Sequence, residues 1–138
     1  MEMEPDVREL HEAAIDAQRQ AHCPYSKYPV GAAIRTPSGQ VFSGCNVENA
    51  SFPEGTCAEA GAIAAMVAAG ERVIVDIVTV TESDVPGTPC GGCRQRIREF
   101  ARPETRIYAT TTAGVSITST MAGLLPDSFG PEQLGLET

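Results

Sequence analysis

The apolar and polar positions in the first half of the chain predict a helix, a hairpin and a loop. Apolar residues recur at helical spacing over residues 7–21, which indicates an amphipathic helix. The apolar segments 30–34 and 40–45 flank a Pro-Ser-Gly turn signal at residues 37–39, so we predict a β-hairpin there. Residues 46–56 are polar, which is typical of a loop.

Residues 57–69 form the most unusual segment of the chain. After Cys57 they are Ala, Ile, Met and Val apart from Glu59 and one Gly, and a helix that is apolar all round is a buried helix. Thr56 is the predicted N-cap, and Gly70 is the predicted C-terminal stop.

The sequence of the second half of the chain predicts a further alternation of strands and helices. We predict strands over residues 73–80, 105–110 and 115–117, and helices over residues 91–100 and 121–125. The order α-β-β-α-β-α-β-β-α favours one α/β domain over residues 1–138, a three-layer α-β-α sandwich with a mixed sheet of about five strands. Residues 131–138 have no assigned task, and a loosely ordered tail is the expectation for them.

Composition and charge narrow the range of partners. The chain has 138 residues, of which 42% are hydrophobic and 20% charged, an ordinary globular composition. Its formal net charge is −8, and it lacks the Lys/Arg stripes that polymeric nucleic acid or an anionic membrane surface requires. We therefore expect neither partner, whereas a small neutral substrate is compatible with this charge.

The cysteines and the N-terminus favour a cytoplasmic protein. No apolar run approaches the ~18 residues of a membrane span, and the first residues, Met-Glu-Met-Glu-Pro-Asp, are acidic whereas targeting signals begin basic. Five cysteines are an odd number, so a disulfide framework is not expected. The cysteines are better interpreted as thiols or metal ligands.

Two cysteine motifs stand at the predicted starts of two helices. Cys57 opens the buried helix, and Cys90 and Cys93 lie in a Pro-Cys-Gly-Gly-Cys motif at residues 89–93. Thiolates favour zinc, and a C-x-x-C pair places two sulfurs on one ion, so Cys57 is the third ligand if the helices lie side by side. The positive ends of the helices are expected to lower the pKa of all three thiols.

Glu59 is the predicted catalytic residue. Three protein ligands leave the fourth position of a tetrahedral zinc to water, whose pKa then falls to about 7. Glu59 is the one ionisable residue between Cys57 and Gly70, and burial of its carboxylate is costly without a partner. Contact with the zinc-bound water would supply that partner and place Glu59 as a proton shuttle.

Two other classes of protein remain compatible with these motifs. A C-x-x-C pair after a strand and at a helix start is typical of redox proteins, although this interpretation leaves Cys57 and Glu59 unexplained. A structural zinc site would need a fourth protein ligand, for which the candidates are Cys45, Cys23, His22 and His11.

Three further segments accompany the cysteine motifs. They are Pro-Tyr-Ser-Lys-Tyr-Pro-Val-Gly-Ala-Ala at residues 24–33, Gly-Cys-Asn-Val-Glu-Asn-Ala at residues 44–50 and Leu-Leu-Pro-Asp-Ser-Phe at residues 124–129. Together with Cys-Ala-Glu at residues 57–59 and Pro-Cys-Gly-Gly-Cys-Arg-Gln at residues 89–95, they resemble the small zinc-dependent cytidine deaminases. Because position 57 is Cys rather than His, the chain resembles the three-cysteine form.

The resemblance implies hydrolytic deamination of cytidine and deoxycytidine to uridine and deoxyuridine in pyrimidine salvage. It implies one Zn²⁺ per subunit, held by Cys57, Cys90 and Cys93, whose activated water attacks C4 of the cytosine ring. Glu59 would take the water proton, protonate N3 of the ring and help ammonia to leave.

The resemblance also implies the contacts of the substrate. Asn46 and Glu48 would bind ribose hydroxyls, the backbone N–H of Ala58 would bind the pyrimidine O2, and Tyr28 would lie beside the base. Phe129 would pack over the base from a neighbouring subunit, because the small form is a homotetramer with shared active sites.

One departure from the family concerns charge. Family members commonly have Arg directly after the catalytic Glu, and this chain has Ala60. Three thiolates and Zn²⁺ sum to a charge of −1, so Arg94 and the helix N-termini are expected as partial substitutes near the sulfurs, with a less acidic bound water. Blasticidin-type deaminases also lack that Arg, so a modified cytosine nucleoside is the alternative substrate, although Asn46 with Glu48 favours cytidine.

Overall fold

Helices cover both faces of a single five-stranded sheet in the part of the chain described by the computed structural model, residues 3–136. The helices are α1 (Pro5–Gln18), α2 (Ala58–Ala68), α3 (Gly91–Phe100) and α4 (Met121–Leu124). The strands are β1 (Val30–Arg35), β2 (Val41–Cys45), β3 (Ile74–Thr81), β4 (Ala101–Thr111) and β5 (Ser116–Thr120). Within these residues, no helix has the length and apolar character needed to span a bilayer.

The strands form a mixed sheet in the order β2-β1-β3-β4-β5. The predicted hairpin is confirmed as the antiparallel pair β1–β2, and β1–β3 and β4–β5 are also antiparallel. Strands β3 and β4 are parallel, so the chain between them must cross over, and α3 lies in that crossover. The predicted α/β fold with a mixed five-stranded sheet is confirmed.

Helix α1 alone covers one face of the sheet. Its Leu10 and Ala14 are fully buried against inward-facing residues of the central strands, including Ala33, Val78 and Val80. The apolar stripe of α1 therefore forms the first helical layer.

The other face carries the larger core, beneath α2, α3 and α4. Ala62 and Met66 of α2 pack over Ile34, Ile77 and Ile107 of three neighbouring strands. Because successive strand residues point to opposite faces, Ile77 belongs to this core whereas the next residue belongs to the α1 core.

Two glycines allow the helices to lie close to the sheet. A Cβ at Gly31 of β1 would lie 1.9 Å from the carbonyl oxygen of Ala14, and a Cβ at Gly44 of β2 would lie 2.4 Å from the backbone nitrogen of Ala62. Since real Cβ atoms do not approach backbone atoms this closely, only glycine fits. The approach at Gly44 sets the position of α2, whose first turn carries Glu59.

Several element ends differ from those predicted. Helix α1 begins at Pro5, which suits the first turn because it needs no N–H there, and it ends at Gln18 rather than residue 21. The N-cap of α2 is Cys57, not Thr56, whereas Gly70 follows the helix with φ +92° as a C-terminal stop should.

The last strands are also displaced from the predicted ranges. β4 begins at Ala101, directly after α3, and passes through Pro103 in a stretch where the register with β3 shifts. Proline is tolerated there because an irregular stretch needs no ladder donor. β5 spans Ser116–Thr120 rather than 115–117. Near the C-terminus Pro131–Leu134 forms a 3₁₀ helix, and residues 137 and 138 of the predicted tail lie outside the described residues.

Candidate metal centre and substrate cavity

The three predicted cysteine ligands meet at the N-termini of α2 and α3. Cys57 is the N-cap of α2, Cys90 is the N-cap of α3, and Cys93 lies in the first turn of α3. Their Sγ atoms all lie within 4.8 Å of one another. Sulfurs bound about 2.3 Å from one tetrahedral zinc lie about 4 Å apart, so the cluster fits a single ion. The cluster therefore explains Cys57 as its third sulfur, whereas a redox dithiol gives Cys57 no role.

The cluster has three protein ligands rather than four. Across residues 3–136, no histidine, carboxylate or further cysteine joins these sulfurs in the candidate metal group, so the proposed fourth ligands of a structural site lie elsewhere. His11, for example, belongs to α1, and its buried ring contacts Thr110 on the face of the sheet away from the cysteines. A tetrahedral ion held here keeps one position for a non-protein ligand, as catalytic zinc sites do.

The thiols differ in how easily they ionise without a cation. The backbone N–H of Cys93 lowers the pKa of Cys90, as expected at a helix N-terminus. Burial raises the pKa of Cys57 and of Cys93, contrary to the expectation of a lowered pKa, because desolvation disfavours the thiolate in the absence of a cation. A bound divalent cation would supply the charge that keeps them as thiolates.

Glu59 lies in the first turn of α2 and is only 5% exposed. Burial raises the pKa of its carboxyl, while a side-chain hydrogen bond with Cys93 and the charge of Arg96 oppose the shift. A carboxyl with a raised pKa exchanges a proton more readily near neutral pH than an ordinary glutamate, which is the property of a general acid–base.

A cavity of about 570 Å³ opens over the cysteines and Glu59. This volume is in the range of sites for small molecules. Its walls include the predicted substrate residues Tyr28, Asn46, Glu48 and Ala58. The structure therefore brings these four residues to the same cavity as the candidate metal ligands.

The side-chain amide of Asn46 already forms two hydrogen bonds with the backbone. Its Oδ1 accepts from the N–H of Val30 at 2.9 Å, and its Nδ2 donates to the carbonyl of Tyr28 at 2.9 Å. These bonds fix the amide relative to β1 and to the loop before it. One proton on Nδ2 and one lone pair on Oδ1 remain for a ligand.

Glu48 is held in a similar way by the loop before β1. Its Oε1 accepts from the N–H groups of Tyr25 and Ser26, each at 3.1 Å. The hydrogen bonds with Ser26 lower the pKa of this carboxyl, so it is ionised at neutral pH. Its Oε2 remains available as an acceptor for hydroxyl groups.

Phe129 does not line the cavity and is 56% exposed. Side chains of α3 hold the surrounding segment, because Gln95 Nε2 donates to the carbonyl of Phe129 at 2.9 Å and Arg98 Nε donates to Ser128 Oγ at 2.8 Å. Arg98 also pairs with Glu132. The helix that carries two candidate zinc ligands therefore also carries the C-terminal segment.

The structure gives Arg94 a different task from the one expected. Its Nε donates to the carbonyl of Pro89 at 2.7 Å, its Nη1 to the carbonyl of Leu124 at 2.9 Å and its Nη2 to Thr88 Oγ1 at 3.1 Å. These bonds fix the loop before Cys90 but leave Arg94 without a bond to a sulfur.

Arg96 is a site residue that the sequence reasoning missed. Its Nη1 donates to Cys93 Sγ over 3.9 Å. The available signal was its spacing, because residues three apart on a helix are neighbours and Arg96 follows Cys93 by three positions.

Comparison with known proteins agrees with this geometry. Residues 4–110 match the model of the family described as "Cytidine and deoxycytidylate deaminase zinc-binding region". Among curated proteins, the cytidine deaminase of Sporosarcina psychrophila is 39% identical over 129 residues, which cover 94% of this chain and 95% of that protein.

Solved structures show the same fold. A crystal structure of cytidine deaminase from Burkholderia pseudomallei superposes with a TM-score of 0.85 at 41% identity, covering 92% of this chain and all of that one. A crystal structure of cytidine deaminase from Mycobacterium tuberculosis gives a TM-score of 0.80 at 33% identity, covering 92% of this chain and 99% of the other.

Proposed function

This chain belongs to the zinc-binding cytidine and deoxycytidylate deaminase family, and we propose that its substrates are cytidine and deoxycytidine, which it hydrolyses to uridine and deoxyuridine with release of ammonia. Cys57, Cys90 and Cys93 would hold one zinc ion per subunit. The single observation that carries this proposal is the three-sulfur cluster facing a cavity beside the buried carboxyl of Glu59.

Each part of the site has a separate task in this reaction. When bound, zinc supplies a water of lowered pKa as the hydrolytic nucleophile. Glu59 would accept a proton from the attacking water and deliver it to N3 of the ring. It would then accept the proton of the hydroxyl group added at C4 and deliver that proton to the departing amino group. Burial suits Glu59 to this task because it raises the pKa of the carboxyl toward the working pH.

The cavity walls orient the nucleoside. The ionised Glu48 accepts hydrogen bonds from ribose hydroxyls, and Asn46 adds its remaining donor and acceptor. The N–H of Ala58 donates to the pyrimidine O2, which places C4 toward the sulfurs, and Tyr28 lies along the base. An N4-modified nucleoside would make the same ribose contacts, so the two substrate classes separate at the amino group alone.

The active enzyme is proposed to be a cytoplasmic homotetramer that serves pyrimidine salvage. Phe129 supports the shared-site arrangement, because its exposed ring lies outside its own cavity and is free to cover the base in a neighbour. All five cysteines are free thiols, which suits a reducing compartment.

The change Glu59→Gln tests the proposal. The native chain should convert cytidine to uridine, which is followed by the fall in ultraviolet absorbance, and a chelator should stop the reaction. The variant should keep its zinc but lose activity by about 10²–10⁴-fold or more, since one carboxyl serves several proton transfers.

Zinc content provides the control for this variant, because it reports whether the metal site is intact. Zinc is measured in the same samples by atomic absorption, and folding by circular dichroism. Full turnover in Glu59→Gln, or a native chain that is active without metal, would contradict the mechanism.

A further inference from the structure

The candidate metal centre carries an excess of negative charge. Three thiolates around Zn²⁺ sum to −1, and the Glu59 carboxylate adds a further negative charge when it is ionised. Helix α2 supplies no cation, because its one charged residue is Glu59. Charge compensation must therefore come from α3 or from the helix N-termini.

Arg96 of α3 lies in position to provide that charge. In the described part of the chain it is the one cationic side chain that donates to a sulfur of the cluster, through Nη1 to Cys93 Sγ at 3.9 Å. Its side chain turns back toward the start of α3, as long side chains on helices do. A Cβ at Gly92 would lie 3.1 Å from the same Nη1, so the glycine leaves room for the guanidinium.

The other two arginines of α3 are engaged elsewhere. Arg94 donates to two backbone carbonyls and to Thr88, and Arg98 binds Ser128 and pairs with Glu132. Arg96 makes no comparable bond with a carboxylate in residues 3–136. Its charge therefore acts on the cluster and on the neighbouring Glu59 carboxyl, rather than being bound in an ion pair elsewhere.

We propose that Arg96 is a positioning residue of the zinc site, whose positive charge stabilises the Cys93 thiolate and slows loss of the metal. The proposal rests on the proposed function only through the zinc ion. Without Arg96, the negative charge of the zinc-loaded site is less well compensated. Removal of the charge therefore shifts the balance toward metal loss.

The experiment compares zinc release from three purified, zinc-loaded variants and the native chain. Arg96→Gln removes the charge, Arg96→Lys keeps it, and Arg19→Gln removes an equal charge from an exposed position on the far helix. Transfer of zinc to a chromogenic chelator is followed at fixed pH. Arg96→Gln should release zinc about 10-fold faster or more, as expected for loss of a group that supports a metal ligand, whereas Arg96→Lys and Arg19→Gln should stay near the native rate.

Cobalt substitution adds a spectroscopic measurement. A nearby cation stabilises the sulfur lone pairs, so its removal should move the thiolate-to-cobalt charge-transfer band to longer wavelength in Arg96→Gln but not in Arg19→Gln. Equal zinc release and an unmoved band in Arg96→Gln would overturn the proposal. Equally fast zinc release from Arg96→Lys and Arg96→Gln would also overturn the proposal, because the effect would then come from the shape of the side chain rather than from its charge. Because neither readout needs turnover, failure here would leave the proposed reaction standing.

Discussion

His11 is the buried histidine on the sheet face away from the cavity. Thr110 Oγ1 donates to the carbonyl of Thr79 at 2.8 Å and must then accept from His11 Nδ1, which lies 3.0 Å away. This arrangement requires a proton on Nδ1 of His11. Burial lowers the pKa of His11, and the nearby Glu12 only partly opposes the shift.

The stability of the protein should therefore depend on His11 in acid. Its pKa in the folded state is below the value of about 6.5 in the unfolded chain, so its contribution is present above pH 6.5 and is lost as the pH falls through the folded pKa. His11→Gln, which does not titrate, should show a smaller fall in the free energy of unfolding between pH 7.5 and pH 5. Urea unfolding at the two pH values measures this difference.

The other histidine provides the control for this prediction. His22 is exposed, and its backbone, which the substitution leaves in place, bonds to Asn46 and Glu48, so His22→Gln should retain the acid-dependent loss of stability. An identical loss of stability in the native chain and in His11→Gln would assign the acid sensitivity to the carboxylates instead.

At the scale of single residues, site residues that follow a fixed sequence spacing were predictable, whereas a contact that depends on side-chain packing was not. The three cysteines and Glu59 were predicted because zinc ligation and a buried carboxylate demand particular residue types at particular positions. Arg96 was missed because an arginine on a helix is usually solvated, and its contact depends on the direction of its side chain and on the room at Gly92.

Among the elements, the contact between α2 and β2 determines where the turn that carries Glu59 lies. A Cβ at Gly44 of β2 would meet three backbone atoms of α2, at 2.4, 2.7 and 2.8 Å. The facing Gly61 of α2 is different, because a Cβ there would meet its nearest atom at an ordinary 3.6 Å. The close contact therefore requires glycine at position 44, whereas position 61 has room for a Cβ.

The matched changes Gly44→Ala and Gly61→Ala should have opposite effects. Gly44→Ala should lower stability by about 1–3 kcal/mol or more, because backbone cannot move aside as a side chain can, and it should weaken zinc binding by shifting α2. Gly61→Ala should raise stability by up to about 1 kcal/mol, since alanine is favoured over glycine inside a helix.

Thermal unfolding and zinc retention measure both effects. Equal changes in the two variants would mean that the helix adjusts its distance from the strand freely, against the close contact seen at Gly44.

Local signals predicted some elements well and others poorly. The β1–β2 hairpin follows from two apolar segments around a turn, and the buried α2 from its uniform composition. The first residues of β4 carry Arg, Pro and Glu without apolar alternation, and they join the sheet only through pairing of Ala101 with Ile74. Neither segment alone specifies its pairing with a distant segment, so the start of β4 could not be predicted from the local sequence.

For the whole molecule, the exposed apolar side chains bear on the proposed association. Phe52, which lines the cavity, is exposed, and so are Phe129, Leu134 and Leu136 along the C-terminal segment. Phe52 stays 73% exposed even though its ring contacts Tyr25 at 5.6 Å between centroids. These exposed side chains are available for contact with a second copy of the chain in the proposed assembly.

The proposed sharing of active sites between subunits predicts complementation between two defective subunits. Phe129→Ala should weaken substrate binding by about 1–3 kcal/mol, the usual contribution of a ring stacked on a base, and Glu59→Gln should abolish turnover. In mixed assemblies, a Phe129→Ala subunit keeps its own Glu59 and receives Phe129 from a Glu59→Gln neighbour. Activity of the co-expressed pair should therefore exceed the sum of the two variants expressed alone.

Sedimentation of the native chain provides the accompanying measurement, with a tetramer expected. Additive activity in the mixture would show that each subunit completes its own site, and the proposed role of Phe129 across the interface would be wrong.

Helix α3 has one further consequence, because it joins the metal to the outer edge of the subunit. Its first turn carries Cys90 and Cys93, and its Gln95 and Arg98 hold the segment that presents Phe129. If the proposed tetramer forms through that segment, metal occupancy and assembly are thermodynamically linked, and each must strengthen the other by the same factor. Dilution to single subunits would then make the enzyme shed its ion, and a chelator would act as a dissociating agent.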